Sequence, residues 1–199
     1  MKKKVELRSM EIRASNEGNE NLHIDGYAAV FEERTLLWES PYSGVKYYEQ
    51  ISRGAIDGNT DMTDVILRYN HSDSALILAR TSNSTLRLTT DDKGIRFDAD
   101  IAPTTVGKDV YQLIKRGDIS KMSFAFTVDK DSWETDNVAK TEVRTINHID
   151  AVVDVSPVDF PAYDGTSVEA RDHKGMIESL ESREKESELR KKLIVETFL

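Results

Sequence analysis

The chain of 199 residues contains no cysteine and only four histidines. The missing cysteine excludes a disulfide framework, a thiolate zinc site and a cysteine nucleophile together. No apolar run is long enough to span a membrane. The basic start Met1-Lys2-Lys3-Lys4 is followed by charges in Val5-Glu6-Leu7-Arg8, where an export signal would be uninterruptedly apolar. A formal net charge of −9, with no basic patch interleaved with aromatics, argues against generic binding to duplex DNA. What remains is the composition of a soluble globular protein, 38% hydrophobic and 32% charged. Its length suits one domain, or one domain with an appendage.

The charge is unevenly placed. Residues 171–199 hold seven Lys/Arg and seven Asp/Glu, so the whole excess of acid lies in residues 1–170. The texture changes at the same point. The body alternates in short segments, whereas the last stretch is made almost wholly of helix formers. A boundary near Arg171 therefore divides a body, 1–170, from a charged helical tail, 171–199. In that tail Met176, Ile177 and Leu180 are separated from Leu189, Leu193 and Ile194 by polar residues, which breaks any sustained heptad.

Within the body, Val5 to Ile12 and Leu22 to Phe31 read as strands, with Gly26 a bulge or close approach in the second. Val65 to Tyr69 reads as a short buried strand. Leu86 to Thr89 and Ile95 to Ile101 alternate on either side of Asp91-Asp92-Lys93-Gly94, which predicts a hairpin whose turn glycine can take positive φ. A helix follows. Thr104 or Thr105 caps it, Val106, Val110, Leu113 and Ile114 share a face, and Lys115-Arg116-Gly117 closes it. Met122 to Val128 and Thr141 to Val155 are strand-like.

With no cysteine, a covalent nucleophile must be a hydroxyl, an amine or a carboxylate, and His23, His71, His148 and His173 are the histidine bases to choose from. His173 sits at the body–tail junction and reads as solvated. His23 lies on a strand and reads as an outward-facing or satisfied histidine. His71 follows directly on an apolar strand and enters a polar loop, the place where a rigid element presents a group to substrate. Ser123 is the one hydroxyl inside the apolar run Met122 to Phe126. Alternation puts it on a face with Ala125 and Thr127, opposite Met122, Phe124 and Phe126. The plain alternative for Ser123 is a strand serine facing solvent, and spacing does not reject it. Asp98 and Asp100 alternate on the hairpin face and read as solvating it.

Five segments together carry a family resemblance: Gly26-Tyr27-Ala28-Ala29-Val30-Phe31, Glu49-Gln50-Ile51-Ser52-Arg53-Gly54-Ala55-Ile56, Asn70-His71-Ser72, Arg116-Gly117-Asp118-Ile119-Ser120-Lys121-Met122-Ser123-Phe124-Ala125-Phe126, and Asp154-Val155-Ser156-Pro157-Val158-Asp159-Phe160-Pro161-Ala162-Tyr163. In this order they resemble the successive motifs of the prohead (capsid maturation) proteases of tailed phages. That family is in turn similar to the herpesvirus assemblins, serine proteases built on a small β-barrel surrounded by helices.

The resemblance implies an α+β, mostly β fold: a small closed or partly open β-barrel with peripheral helices, followed by the C-terminal helical tail. It implies a serine endopeptidase with Ser123 as nucleophile, His71 as base and Asp154 as the acidic third member. Aspartate stands where the family commonly has glutamate, one methylene longer. His148 is the alternative third member, since assemblins use a second histidine there. The family's substrates are the major capsid protein and scaffold segments, met inside the procapsid in the host bacterial cytoplasm, with self-association and cleavage of its own tail as further expectations. Neither nucleic acid nor membrane enters as a partner, and no metal or other cofactor is implied. The alternative is an inactive internal scaffold on the same fold.

Overall fold

The structure, a computed structural model, describes residues 5–14, 22–72 and 75–159, with Ser182 alone beyond them. The tail reading therefore lies outside the described residues, as does His173. Ten strands are present in chain order: β1 (Val5–Ala14), β2 (Leu22–Val30), β3 (Thr35–Glu39), β4 (Lys46–Ile51), β5 (Ile66–Leu67), β6 (Ala79–Arg80), β7 (Leu86–Thr90), β8 (Gly94–Ile101), β9 (Lys121–Asp136) and β10 (Thr141–Val158). One helix, α1 (Thr105–Arg116), separates β8 from β9.

The strands join in one sheet with the path β3-β4-β10-β9-β1-β2-β8-β7, which does not close. This corrects the closed form of the barrel expectation, and a single helix among the described residues corrects the plural. The sheet branches at β10. Its one edge is antiparallel to β9, while its other edge is shared in succession by β4 and β5, both parallel to it. Parallel neighbours require long connections, and the chain from β5 to β10, through β6 to β9, supplies them for both.

Alternation explains the core. Met122, Phe124 and Phe126 of β9 are fully buried, with the two phenyl rings stacked 4.5 Å apart between centroids. They belong to one buried cluster with Ile24 of β2, Phe97 of β8, and Ile146 and Ile149 of β10. Each such side chain stabilises the fold by about 1.5–3 kcal/mol relative to exposure. The helix is capped by Thr104, whose hydroxyl accepts from the Gly107 N–H, and ends at Gly117 with φ 89°. Its buried residues are Gly107, Val110, Tyr111 and Ile114, so the packed face is rotated from the expected one and Val106 is exposed.

The β7–β8 hairpin forms as the alternation predicts, but its glycine serves a different purpose. Gly94 does not adopt positive φ; a Cβ there would lie 2.0 Å from the Ala29 carbonyl oxygen of β2. Close approach, not turn geometry, demands glycine. In β2 the register irregularity falls between Tyr27 and Ala29, while Gly26 pairs regularly with Phe97.

Candidate active site

Three strand ends build the site. Ser123 lies near the start of β9, where its Cα partners are Ser9 on β1 and Ser156 on β10. Directly opposed residues of an antiparallel pair project to the same side, with Cβ atoms about 4.5–5.5 Å apart. Ser123 and Ala125 therefore share a face with Ser156 and Asp154, away from the phenylalanine core. That face is covered: Ser123 is 3% exposed and Asp154 2%. Ser123 is thus not the solvent-facing strand serine of the plain alternative.

Asp154 reaches this face because β10 is irregular. Val152 pairs with Phe126 and Asp154 with Ala125, so Val153 is an extra residue in β10. In a regular strand, Val152 and Asp154 would point the same way, into the core. The bulge reverses the phase and turns the carboxylate toward the serine face.

His71 arrives from the parallel strand. β5 pairs Ile66 and Leu67 with Asp154 and Val155. Arg68 is still extended, and Tyr69–His71 then form a tight 3-10 turn in which Asn70 and His71 both take positive φ, 54° and 50°. Asparagine and histidine tolerate this left-handed region better than most residues. The turn carries the imidazole back over β10. Its Nδ1 lies 2.8 Å from Asp154 Oδ1, and the His71 backbone N–H donates to Ser156 Oγ at 3.3 Å. The shorter aspartate thus reaches the ring.

The remaining valences of the carboxylate are also occupied. Ser156 Oγ donates to Asp154 Oδ1 at 2.5 Å, and Arg68 Nε donates to Oδ2 at 2.5 Å. Burial pushes the Asp154 carboxyl up, but the bond and charge of His71, followed by Arg68 and Ser156, outweigh it and hold the group below its ordinary value. It is a carboxylate at neutral pH, an acceptor only, so the His71 nitrogen facing it carries the proton. In the neutral ring Nε2 is then the acceptor; it is buried, and no hydrogen-bond partner for it stands among the described residues. The turn itself is clamped from beyond β10, where Asp159 accepts from Tyr69 Oη and Asn70 Nδ2 and its backbone N–H donates to Asn70 Oδ1. Burial, then the bond to Asp159, pushes the Tyr69 phenol up to about 12, which keeps it a donor.

The other histidines have different company. His148 Nδ1 faces Asp129 Oδ1 at 2.5 Å and Nε2 faces Asp57 Oδ1 at 3.3 Å. A carboxylate thus stands at each ring nitrogen, an arrangement that favours the protonated ring. His23 faces Asp100 at 2.9 Å and Asp98 at 3.4 Å, and Arg87 pairs with both aspartates. Those carboxylates are paired across the hairpin rather than simply solvated. Among the described residues no group of three or more His, Asp or Glu could hold a metal, and no helix is long and apolar enough to cross a membrane. Sequence reasoning does not single out Arg68, Ser156 or Asp159. Two of these stand in the motif that begins at Asp154, and the spacing of Ser156 from Asp154 along β10 is the available signal.

The Asp129 bond, opposed by burial and aided by Asp57, holds the His148 ring above its ordinary value. A raised basic group contributes stability fully below its unfolded value, about 6.5, and loses it as pH rises through the folded value. We expect His148→Gln to destabilise the protein at about pH 6 and to have a smaller effect at about pH 9. Thermal melts of both proteins at the two pH values check this; an equal effect at both would refute it.

Neither the curated proteins nor the solved structures contain a match to this chain. The family model described as caudovirus prohead serine protease matches residues 8–179, a span running from within β1 past the end of β10 and containing Ser123, His71 and Asp154. With most of its length covered by that match, the chain belongs to the caudovirus prohead serine protease family.

Proposed function

We propose that this protein is the serine endopeptidase of a phage procapsid, with Ser123 as nucleophile, His71 as general base and acid, and Asp154 as the group that orients the ring. The observation that carries the reading is the setting of His71: one nitrogen bonded to a buried carboxylate, the other buried and without a hydrogen-bond partner among the described residues. A serine hydroxyl is unreactive at its free pKa and needs a proton acceptor. Ser123 stands one strand away, opposite the serine that holds the His71 backbone. Its bond to Nε2 is not formed in the free protein, and bonds of this kind tighten when substrate binds.

In the reaction, Ser123 Oγ attacks the scissile carbonyl while Nε2 takes its proton. The imidazolium, stabilised by Asp154, then returns that proton to the departing amine as the C–N bond breaks. Water, deprotonated by the same nitrogen, hydrolyses the acyl-enzyme and regenerates the serine. In this scheme Asp154 rather than His148 is the third member, a choice supported by the engagement of the His148 ring by Asp129 and Asp57.

Family membership makes capsid protein the substrate class and the interior of the procapsid the place of action. Scaffold segments and the chain's own tail are the further substrates we assign. A fluorophosphonate reagent tests the site without knowledge of the cleavage sequence: it should label the protein once, on a peptide containing Ser123. Labelling elsewhere, or none, counts against the reading and favours an inactive scaffold.

A further inference from the structure

We propose that Arg68 is a positioning residue of this site: its guanidinium fixes the Asp154 carboxylate so that Oδ1 alone serves His71. The inference rests on the triad reading above and assigns a role to a residue outside the triad. Arg68 is three residues before His71, on the extended segment that continues β5 alongside β10. Its Nε lies 2.5 Å from Asp154 Oδ2, while Oδ1 receives both His71 Nδ1 and Ser156 Oγ. A carboxylate held at both oxygens from different sides cannot rotate about its Cβ–Cγ bond. The division of labour is enforced: one oxygen for the cation, one for the imidazole.

The charge matters as much as the geometry. Asp154 is 2% exposed, whereas Arg68 is 20% exposed and keeps part of its hydration. Burying a carboxylate is unfavourable unless charge and hydrogen bonds compensate. A neutral His71, the form that accepts a proton, gives Asp154 a hydrogen bond but not the charge that its protonated form adds. Arg68 supplies it throughout the cycle. Around this pair stand Arg68 beside β5, Asp154 on β10, the His71 ring from the turn and, past β10, Asp159, the last directed at Tyr69 and Asn70.

The test compares wild type, Arg68→Gln and Arg68→Lys by two readouts: the rate of fluorophosphonate labelling against pH, and the downfield NMR resonance of the His71 Nδ1 proton. Arg68→Gln should slow labelling at its plateau by about 10- to 100-fold. It should also move the acid limb of the profile upward by about one pH unit, because the limb marks protonation of the base, and a guanidinium beside the Asp154–His71 pair disfavours the imidazolium until it is removed. The Nδ1 resonance should broaden or vanish. Arg68→Lys keeps the charge without the planar fork, so its acid limb should stay within about 0.3 pH units of wild type with most of the plateau restored.

An unmoved acid limb together with an intact resonance in Arg68→Gln overturns the proposal. So does an Arg68→Lys protein no better than Arg68→Gln. Should Arg68→Gln not fold, Arg68→Lys decides the matter, since a displaced limb there refutes the role of charge. If Ser123 is not the nucleophile, labelling fails in all three proteins alike. The resonance then still reports whether Arg68 holds the Asp154–His71 pair, so the two failures are separable.

Discussion

Ser123→Ala should abolish cleavage of co-expressed capsid protein, with a loss of about 10^4-fold or more, and leave the fold intact. The size of the effect follows from the chemistry, because no other group supplies the covalent bond to the acyl carbon. The small structural effect follows from position. Ser123 is held by its ladders to β1 and β10, which are backbone bonds, and its packing partners in the core belong to the opposite face. Removing one oxygen from a site 3% exposed leaves the strand pairing untouched. Gel analysis of capsid protein from cells expressing each variant reads the activity, and thermal melting reads the fold. Persistent cleavage in the variant would remove Ser123 from the mechanism, whereas absence of cleavage in wild type as well would favour the scaffold role.

Asp154→Asn should lower activity by about 10^4-fold, through the tautomer of His71 rather than through a lost contact. Arg68 donates to Oδ2, so it holds the carbonyl oxygen of an asparagine on its own side. The amide NH2 is then left facing His71 and must donate to Nδ1. The proton moves to Nε2, which can no longer accept from Ser123. The stability effect has a definite pH dependence. Asp154 is held below its ordinary value in the folded protein, so its stabilisation is complete above the unfolded value near ~3.9 and is lost as pH falls through the folded one. The variant should be less stable than wild type by about 1–3 kcal/mol near neutrality, and the gap should narrow below about pH 4. Urea unfolding at neutral and acid pH measures the gap. A gap that widens in acid would contradict a lowered Asp154 carboxyl.

The local elements are largely legible in the sequence. The helix caps at Thr104 and Gly117, the alternation of the β7–β8 hairpin and the buried Met122, Phe124 and Phe126 all follow from near neighbours in the chain. Less is legible where a neighbour comes from afar. β3 and β4 do not announce themselves as strands: in β4 the buried positions include Glu49, which breaks the apolar alternation, and the strand owes its place to parallel pairing with β10, about a hundred residues away. Val65 to Tyr69 reads as one strand, but only Ile66–Leu67 pair before the chain turns at Tyr69. Val106 falls on the apolar stripe of α1 yet faces outward, since the sheet beneath the helix decides which residues are covered.

By itself the sequence determined the chemistry on offer: no thiolate, four histidines, one hydroxyl set in an apolar strand, and motifs whose order matches a protease family. Tertiary structure decided which of those groups meet. Whether Asp154 faces the core or the serine depends on one extra residue, Val153, whose bulge exists only in register with β9. Whether His71 meets Asp154 depends on a turn that bends it back to β10, leaving Nε2 without a partner among the described residues, while both nitrogens of His148 face aspartates. In both cases the deciding partner is distant in the chain. Side-chain direction in a strand has a period of two, so a single inserted residue reverses it, and that insertion is defined only by the partner strand.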